Sequence, residues 1–121
     1  MYSNLTKTFV AGEALERYRL VKISAANTVV YADAADFATF VTTHAAASGE
    51  SVNCVALCGA AGTFKVVASE AITIGAKLAA AADGKVQTGV STEHVFCVAV
   101  EAAAADGDEI EAVGIPGYVL A

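Results

Sequence analysis

The sequence has no tryptophan, one proline (Pro116) and little charge: 17% of its residues are Asp, Glu, Lys or Arg, against about 25% in ordinary soluble domains. The single proline and the lack of any Ser/Gly-rich stretch leave no linker, so the 121 residues are read as one domain. Seven basic residues against thirteen acidic ones, a net charge of −6, remove the electrostatic basis for gripping phosphates. No nucleic-acid partner is therefore expected; the densest basic group, Arg17-Tyr18-Arg19 with Lys22, fits a solvated strand. Gly, Asp, Lys or Glu interrupts every apolar stretch, so no membrane partner is expected. The start, Met1 to Lys7, lacks the basic and apolar regions of a signal peptide. The three cysteines, Cys54, Cys58 and Cys97, then read as free thiols of a reducing cytosol.

Sites for chemistry are equally scarce. Cys54 and Cys58 would share one face of a strand about 13 Å apart, too far for one metal ion. His94 and Cys97, three apart, would face opposite sides. His44 and His94 neighbour no nucleophile motif. Asp33 and Asp36, or Asp106, Asp108 and Glu109, lie in turns without the spacing of a calcium loop. Gly59-Ala60-Ala61-Gly62-Thr63 lacks the lysine and helix of a phosphate cradle. No catalytic residue, metal or cofactor is expected, and the chain reads as a binding protein.

What the sequence does have is 56% hydrophobic residues, much of it alanine, and short β-branched runs between turns. Tyr18 to Ser24 and Thr28 to Ala32 flank Ala25-Ala26-Asn27 as a hairpin. Asp83-Gly84 marks a second between Leu78 and Val86. Further strands are expected at Thr6 to Val10, Phe37 to Thr43, Ser51 to Cys58, Thr63 to Ala68, Ala71 to Ile74, Lys77 to Ala80, Val95 to Val100 and Glu109 to Val113. The alanine runs at 79–82 and 102–105 are too short to nucleate helices and are read as strand ends or a single helical turn at most. The expected fold is mainly β, a small single-domain β-barrel-like fold of short strands and hairpins. A shift of 58 superposes residues 45–52 on 103–110, Lys7 on Lys65, Leu20 on Leu78, Phe37 on Val95, Val55 on Val113 and Leu57 on Ile115, which suggests two related halves.

The phrases Ala11-Gly12-Glu13-Ala14-Leu15, Tyr18-Arg19-Leu20-Val21-Lys22, Thr28 to Asp33, Ala60 to Ala68, Ile74 to Leu78, Ala82 to Val86 and Val98 to Ala102 with Ala105 to Asp108 come in order. Together, over roughly residues 6 to 115, they resemble the small capsid decoration or cement proteins of tailed phages and prophages. The resemblance implies a structural protein of the virion, often a homotrimer, that binds major capsid protein on the outer capsid surface and stabilises subunit contacts after synthesis in the host cytoplasm. Other readings are a small intracellular ligand-binding barrel, or another head component such as a head-fibre base or adaptor.

Residues 1–10 are read as an N-terminal arm or a first strand, and residues 11–121 as one β domain with a tail from Gly114. The expected capsid or subunit contacts are Tyr2, Leu5 and Phe9, which are the apolar anchors of the arm, together with Phe37, Phe40 and Tyr118. An arm of this kind can add a strand to a neighbour's sheet.

Overall fold

Ten strands form two five-stranded assemblies in the computed structural model, which describes residues 6–34, 36–57 and 63–120. The first is a closed barrel of β1 (Thr6–Ala11), β2 (Leu20–Ala25), β3 (Thr28–Tyr31), β4 (Phe40–Thr42) and β5 (Ser51–Ala56), in the order β1-β3-β2-β4-β5. The second comprises β6 (Thr63–Val67), β7 (Lys77–Ala80), β8 (Val86–Thr88), β9 (His94–Ala99) and β10 (Glu109–Val119), in the order β6-β10-β9-β7-β8. Its two ends meet through a parallel bridge between Ala68 and Val86. The counterpart in the first barrel is the parallel pair of Ala11 with Val29.

The halves repeat each other residue by residue. Leu15 exchanges two hydrogen bonds with Ala46, and Ile72 does the same with Ala103, 57 residues on. Phe9 pairs with Val52, and Val66 with Ile110. Val21 pairs with Phe40 and Leu78 with Cys97; Thr42 pairs with Cys54 and Ala99 with Ala112. Up to Ala46 the offset is 57; after it the offset is 58, because Ala104 is one extra residue in the second half. The uniform shift of 58 thus places Val55 and Leu57 correctly, and misplaces Lys7, Leu20 and Phe37 by one. Those three correspond to Phe64, Lys77 and His94.

Burial follows the repeat. The first barrel is filled by Phe9, Ala11, Leu15, Val21, Val29, Ala46, Val52 and Cys54. Their counterparts Val66, Ala68, Ile72, Leu78, Val86, Ala103, Ile110 and Ala112 are all buried in the second. Alternation along β2 sends Val21 into the first barrel and its neighbour Leu20 into the cluster shared with the second half. That shared cluster also takes Ala32, Ala38, Val41 and Leu57, so the halves share a core.

Turns fall where the sequence places them. Asn27 adopts a left-handed φ of 58° between β2 and β3. Asp83 and Gly84, at 57° and 73°, supply the pair of positive φ values that a tight hairpin requires. Three expectations change. Ala71 to Ile74 is no strand, only the single bridge at Ile72. Strand structure begins at Phe40 rather than Phe37. Beyond Gly114 there is no separate tail: β10 continues along β9 to Val119, with a register shift between Gly114 and Tyr118 that accommodates Pro116, which has no N–H to give to a ladder.

Candidate functional site

Among the described residues no group of three or more His, Cys, Asp or Glu side chains is placed to hold a metal ion. Cys54 and Cys97 are free and fully buried. Burial pushes the Cys54 thiol up to about 11 and the Cys97 thiol up to about 12, so neither is a ready nucleophile. Cys58 lies outside the described residues. The first barrel encloses side chains rather than a ligand: Phe9 meets Phe40 edge to face at 4.9 Å, among the apolar residues that fill it.

The described residues form an apolar cleft on the seam between the halves, about 330 Å³ in volume. Phe37, Ala38, Thr39, Ala56 and Leu57 line it from the first half, and Phe96, Ile115, Pro116 and Gly117 from the second. Its outer wall is built by a short turn. The Asp36 N–H donates to the Asp33 carbonyl at 3.0 Å, the Asp33 N–H donates to Asp36 Oδ2 at 2.9 Å, and Lys22 Nζ reaches the same carboxylate at 2.7 Å. The Lys22 ammonium, and then the Asp33 N–H, hold the Asp36 carboxyl below the usual carboxylate range.

This pinned turn lifts Phe37 out of the surface, where it is 55% exposed. The ring is still oriented, lying edge-on to His94 at 5.2 Å and to Phe96 at 5.5 Å, while His94 and Phe96 stack at 6.4 Å. On the inner side, a Cβ at Gly114 would lie 1.7 Å from the Leu57 carbonyl oxygen, so only glycine lets β10 approach β5 here.

The six expected contact residues therefore separate. Phe37 and Tyr118 are exposed, Tyr118 by 40% with the Lys77 ammonium 5.3 Å from its ring centroid. Phe40 is partly buried against the first barrel's core. Phe9 is a correction: it is 3% exposed inside that barrel, because β1 pairs with β5 from Thr6 to Val10 and turns Phe9 inward. Residues 6–11 form the first strand of the barrel, one of the two readings of the N-terminal segment, and Tyr2 and Leu5 lie outside the described residues. His94, Phe96 and Ile115 to Gly117 belong to the cleft and its rim, and the sequence reading does not find them. A correct repeat would have signalled His94, since it stands opposite Phe37 at the 57-residue offset.

Comparison with solved structures shows the same fold in the head fiber gp8.5 N base of bacteriophage phi29, with a TM-score of 0.75, 20% sequence identity, and coverage of 92% of this chain and 93% of that one. Among curated proteins none matches this chain in sequence. The family described as phage cement protein matches residues 2–114, which takes in both barrels and all of the cleft but the end of β10, and the chain belongs to that family.

Proposed function

We propose that this protein decorates the outside of a tailed-phage head, where it binds major capsid protein and holds neighbouring capsid subunits together. It is made in the host cytoplasm, associates with itself as a homotrimer and adds to the assembled shell. The family match over residues 2–114 carries this reading. The cleft is where we place the contact: Phe37 is large, exposed and already oriented, so little side-chain freedom is lost when a partner covers it. Burying one such side chain contributes about 1.5–3 kcal/mol. Several copies tied together add avidity, provided all can engage at once. A surface with few charges presents little to desolvate.

The test is to mix the purified protein with expanded shells and image them by cryo-EM, with survival on heating as a second readout. We expect ordered density at repeated outer positions, greater heat resistance, and loss of both with Phe37→Asp while that variant melts like the parent. Full occupancy by Phe37→Asp would remove the cleft as the contact, and absence of binding by the parent would remove the reading itself. The likeness to a head fiber base over 93% of that chain favours a second reading, a base for a longer appendage. Density projecting beyond the decorated positions on native particles would select it.

A further inference from the structure

The two halves meet head to tail. The β7–β8 turn of the second half sits against the open end of the first half's β2–β3 hairpin, where Arg19 precedes β2 and Ala32-Asp33 follow β3. The Gly84 N–H donates to the Ala32 carbonyl at 3.0 Å, the Asp83 N–H to Asp33 Oδ1 at 3.0 Å, and Arg19 Nη1 to the Asp83 carbonyl at 2.9 Å. Beside them Arg17 holds the Glu109 carboxylate through two bonds of 3.0 and 3.1 Å. Among the described residues the reciprocal contact is not made within the chain. The first half's corresponding turn, Ala25 to Asn27, is exposed, and Ile23 is 52% exposed where its counterpart Ala80 is 2% exposed. Each chain thus keeps one unused turn, on the first half, and one unused seat, on the second.

The unused surfaces differ from the used ones in a matched way. On the seat, Arg17 is replaced by Ile74 and Asp33 by Val90 at the 57-residue offset. On the turn side, Glu109 is replaced by Ser51 and Asp83 by Ala26. The Arg17–Glu109 pair has changed at both members, to Ile74 and Ser51. Asp33 and Arg19, whose side chains grip the backbone of Asp83, become Val90 and Ala76, so the free seat offers apolar groups where the used one offers charge. Ile74 and Val90, 65% and 60% exposed, are the two most exposed large apolar side chains among the described residues.

We propose that the Ile74/Val90 seat of one copy receives the Ile23 to Asn27 hairpin end of a second copy, in a head-to-tail contact that repeats the geometry of the internal junction. This supplies the interface for the self-association put forward above, and it operates without a capsid. Asn27 keeps the copies slightly further apart than the halves are, because a Cβ at Gly84 would lie 2.5 Å from the Leu20 carbonyl oxygen. Thr88 in place of the larger Tyr31 gives the seat room in compensation. A heterologous contact of this kind repeats from copy to copy until a ring closes.

Sedimentation of the intact chain, with no shells present, tests the proposal. We expect concentration-dependent association, weakened about tenfold or more by Ile74→Arg or Val90→Asp with melting unchanged, since a charge is then buried without a partner. Combining Ile74→Arg with Ser51→Glu recreates across the interface the pair that Arg17 and Glu109 make inside the chain, and is expected to restore association. A parent chain that stays monomeric at every concentration would assign the patch to the capsid and overturn the proposal. So would Ile74→Arg and Val90→Asp variants that associate like the parent. Neither result depends on whether shells are bound, so failure here is separable from failure of the decoration reading.

Discussion

His44 and Glu101 occupy equivalent places in the two barrels and perform the same task with different chemistry. The Asn53 N–H donates to His44 Nε2 at 3.1 Å, and the Glu111 N–H donates to Glu101 Oε1 at 2.8 Å. Each ties the end of the fourth strand of its half to the fifth. Because the geometry already accommodates a carboxylate at this position, His44→Glu is expected to fold and to melt within a few degrees of the parent. His44→Ala leaves the Asn53 N–H without its acceptor and is expected to cost about 0.5–1.5 kcal/mol in denaturant melts.

The same latch predicts an acid limit. The Lys65 ammonium, followed by the Glu111 N–H, lowers the Glu101 carboxyl below its usual range, and Lys22 does the same to Asp36. A carboxylate whose folded pKa is depressed contributes stability that is present above the unfolded pKa and lost as pH falls through the folded one. Thermal melts are therefore expected to be flat near neutrality and to drop below about pH 4, where the unfolded carboxyls begin to take up protons. Replacing Lys65 and Lys22 with Met should shrink that drop; an unchanged acid profile in the double variant would show that other carboxylates set it.

Much of this fold is legible in the residues, and the part that is not has physical causes. Asn27 and Asp83-Gly84 announce their hairpins because few residue types tolerate a left-handed backbone. The repeat is visible in the sequence but out of register over the first strands. Alanine runs anchor the match at one offset, and identical neighbouring alanines hide a one-residue insertion. A better anchor is Ala11-Gly12-Glu13-Ala14-Leu15 against Ala68-Ser69-Glu70-Ala71-Ile72. There Glu13 accepts the Tyr31 N–H at 3.0 Å and Glu70 accepts the Thr88 N–H at 3.2 Å. Phe9 is misplaced by sequence alone because alternation along a strand separates two faces without saying which lines a barrel. The cleft is not legible at all, since it joins residues 37–39, 56–57, 96 and 115–117, which only the packing of the halves brings together.

Gly114 marks the tightest point of that packing. A Cβ there would lie 1.7 Å from the Leu57 carbonyl oxygen, so Gly114→Ala must push backbone from backbone along the seam. We expect a loss of about 1–3 kcal/mol or more, or failure to fold. At Gly107 a Cβ would meet nothing within 4 Å, but φ is +95°. Gly107→Ala should therefore cost only about 1–2 kcal/mol of local backbone strain. Equal losses for the two variants would show that the seam relaxes freely.

The buried thiols give a kinetic readout of the same packing. Cys54 and Cys97 are each 0% exposed, and burial disfavours both thiolates. At pH 8 a thiol reagent is expected to label neither in the folded protein, and to label both at the rate of unfolding once denaturant is added. Peptide mapping separates them from Cys58. Rapid modification of Cys97 in the native state would mean that the second barrel opens far more often than its packed interior implies.

The first strand separates folding from binding. Thr6, Lys7 and Thr8 pair with Val55, Cys54 and Asn53, and Phe9 fills the barrel beside Phe40. Removing residues 1–8 takes away three of the five pairs between β1 and β5 and is expected to yield an unfolded or aggregating chain, not a soluble protein with a weakened grip. Phe9→Ala, with the chain otherwise intact, is expected to cost about 3–5 kcal/mol in denaturant melts, and to bind shells normally at temperatures where it remains folded. Phe37→Ala should do the opposite: its ring is more than half exposed, so stability should hold while shell binding weakens. Melting and binding measured on both variants therefore give crossed results if the cleft is the contact and the strand is core. A stable truncated chain that still binds shells would show that residues 6–8 are dispensable, and would require the barrel to close without them.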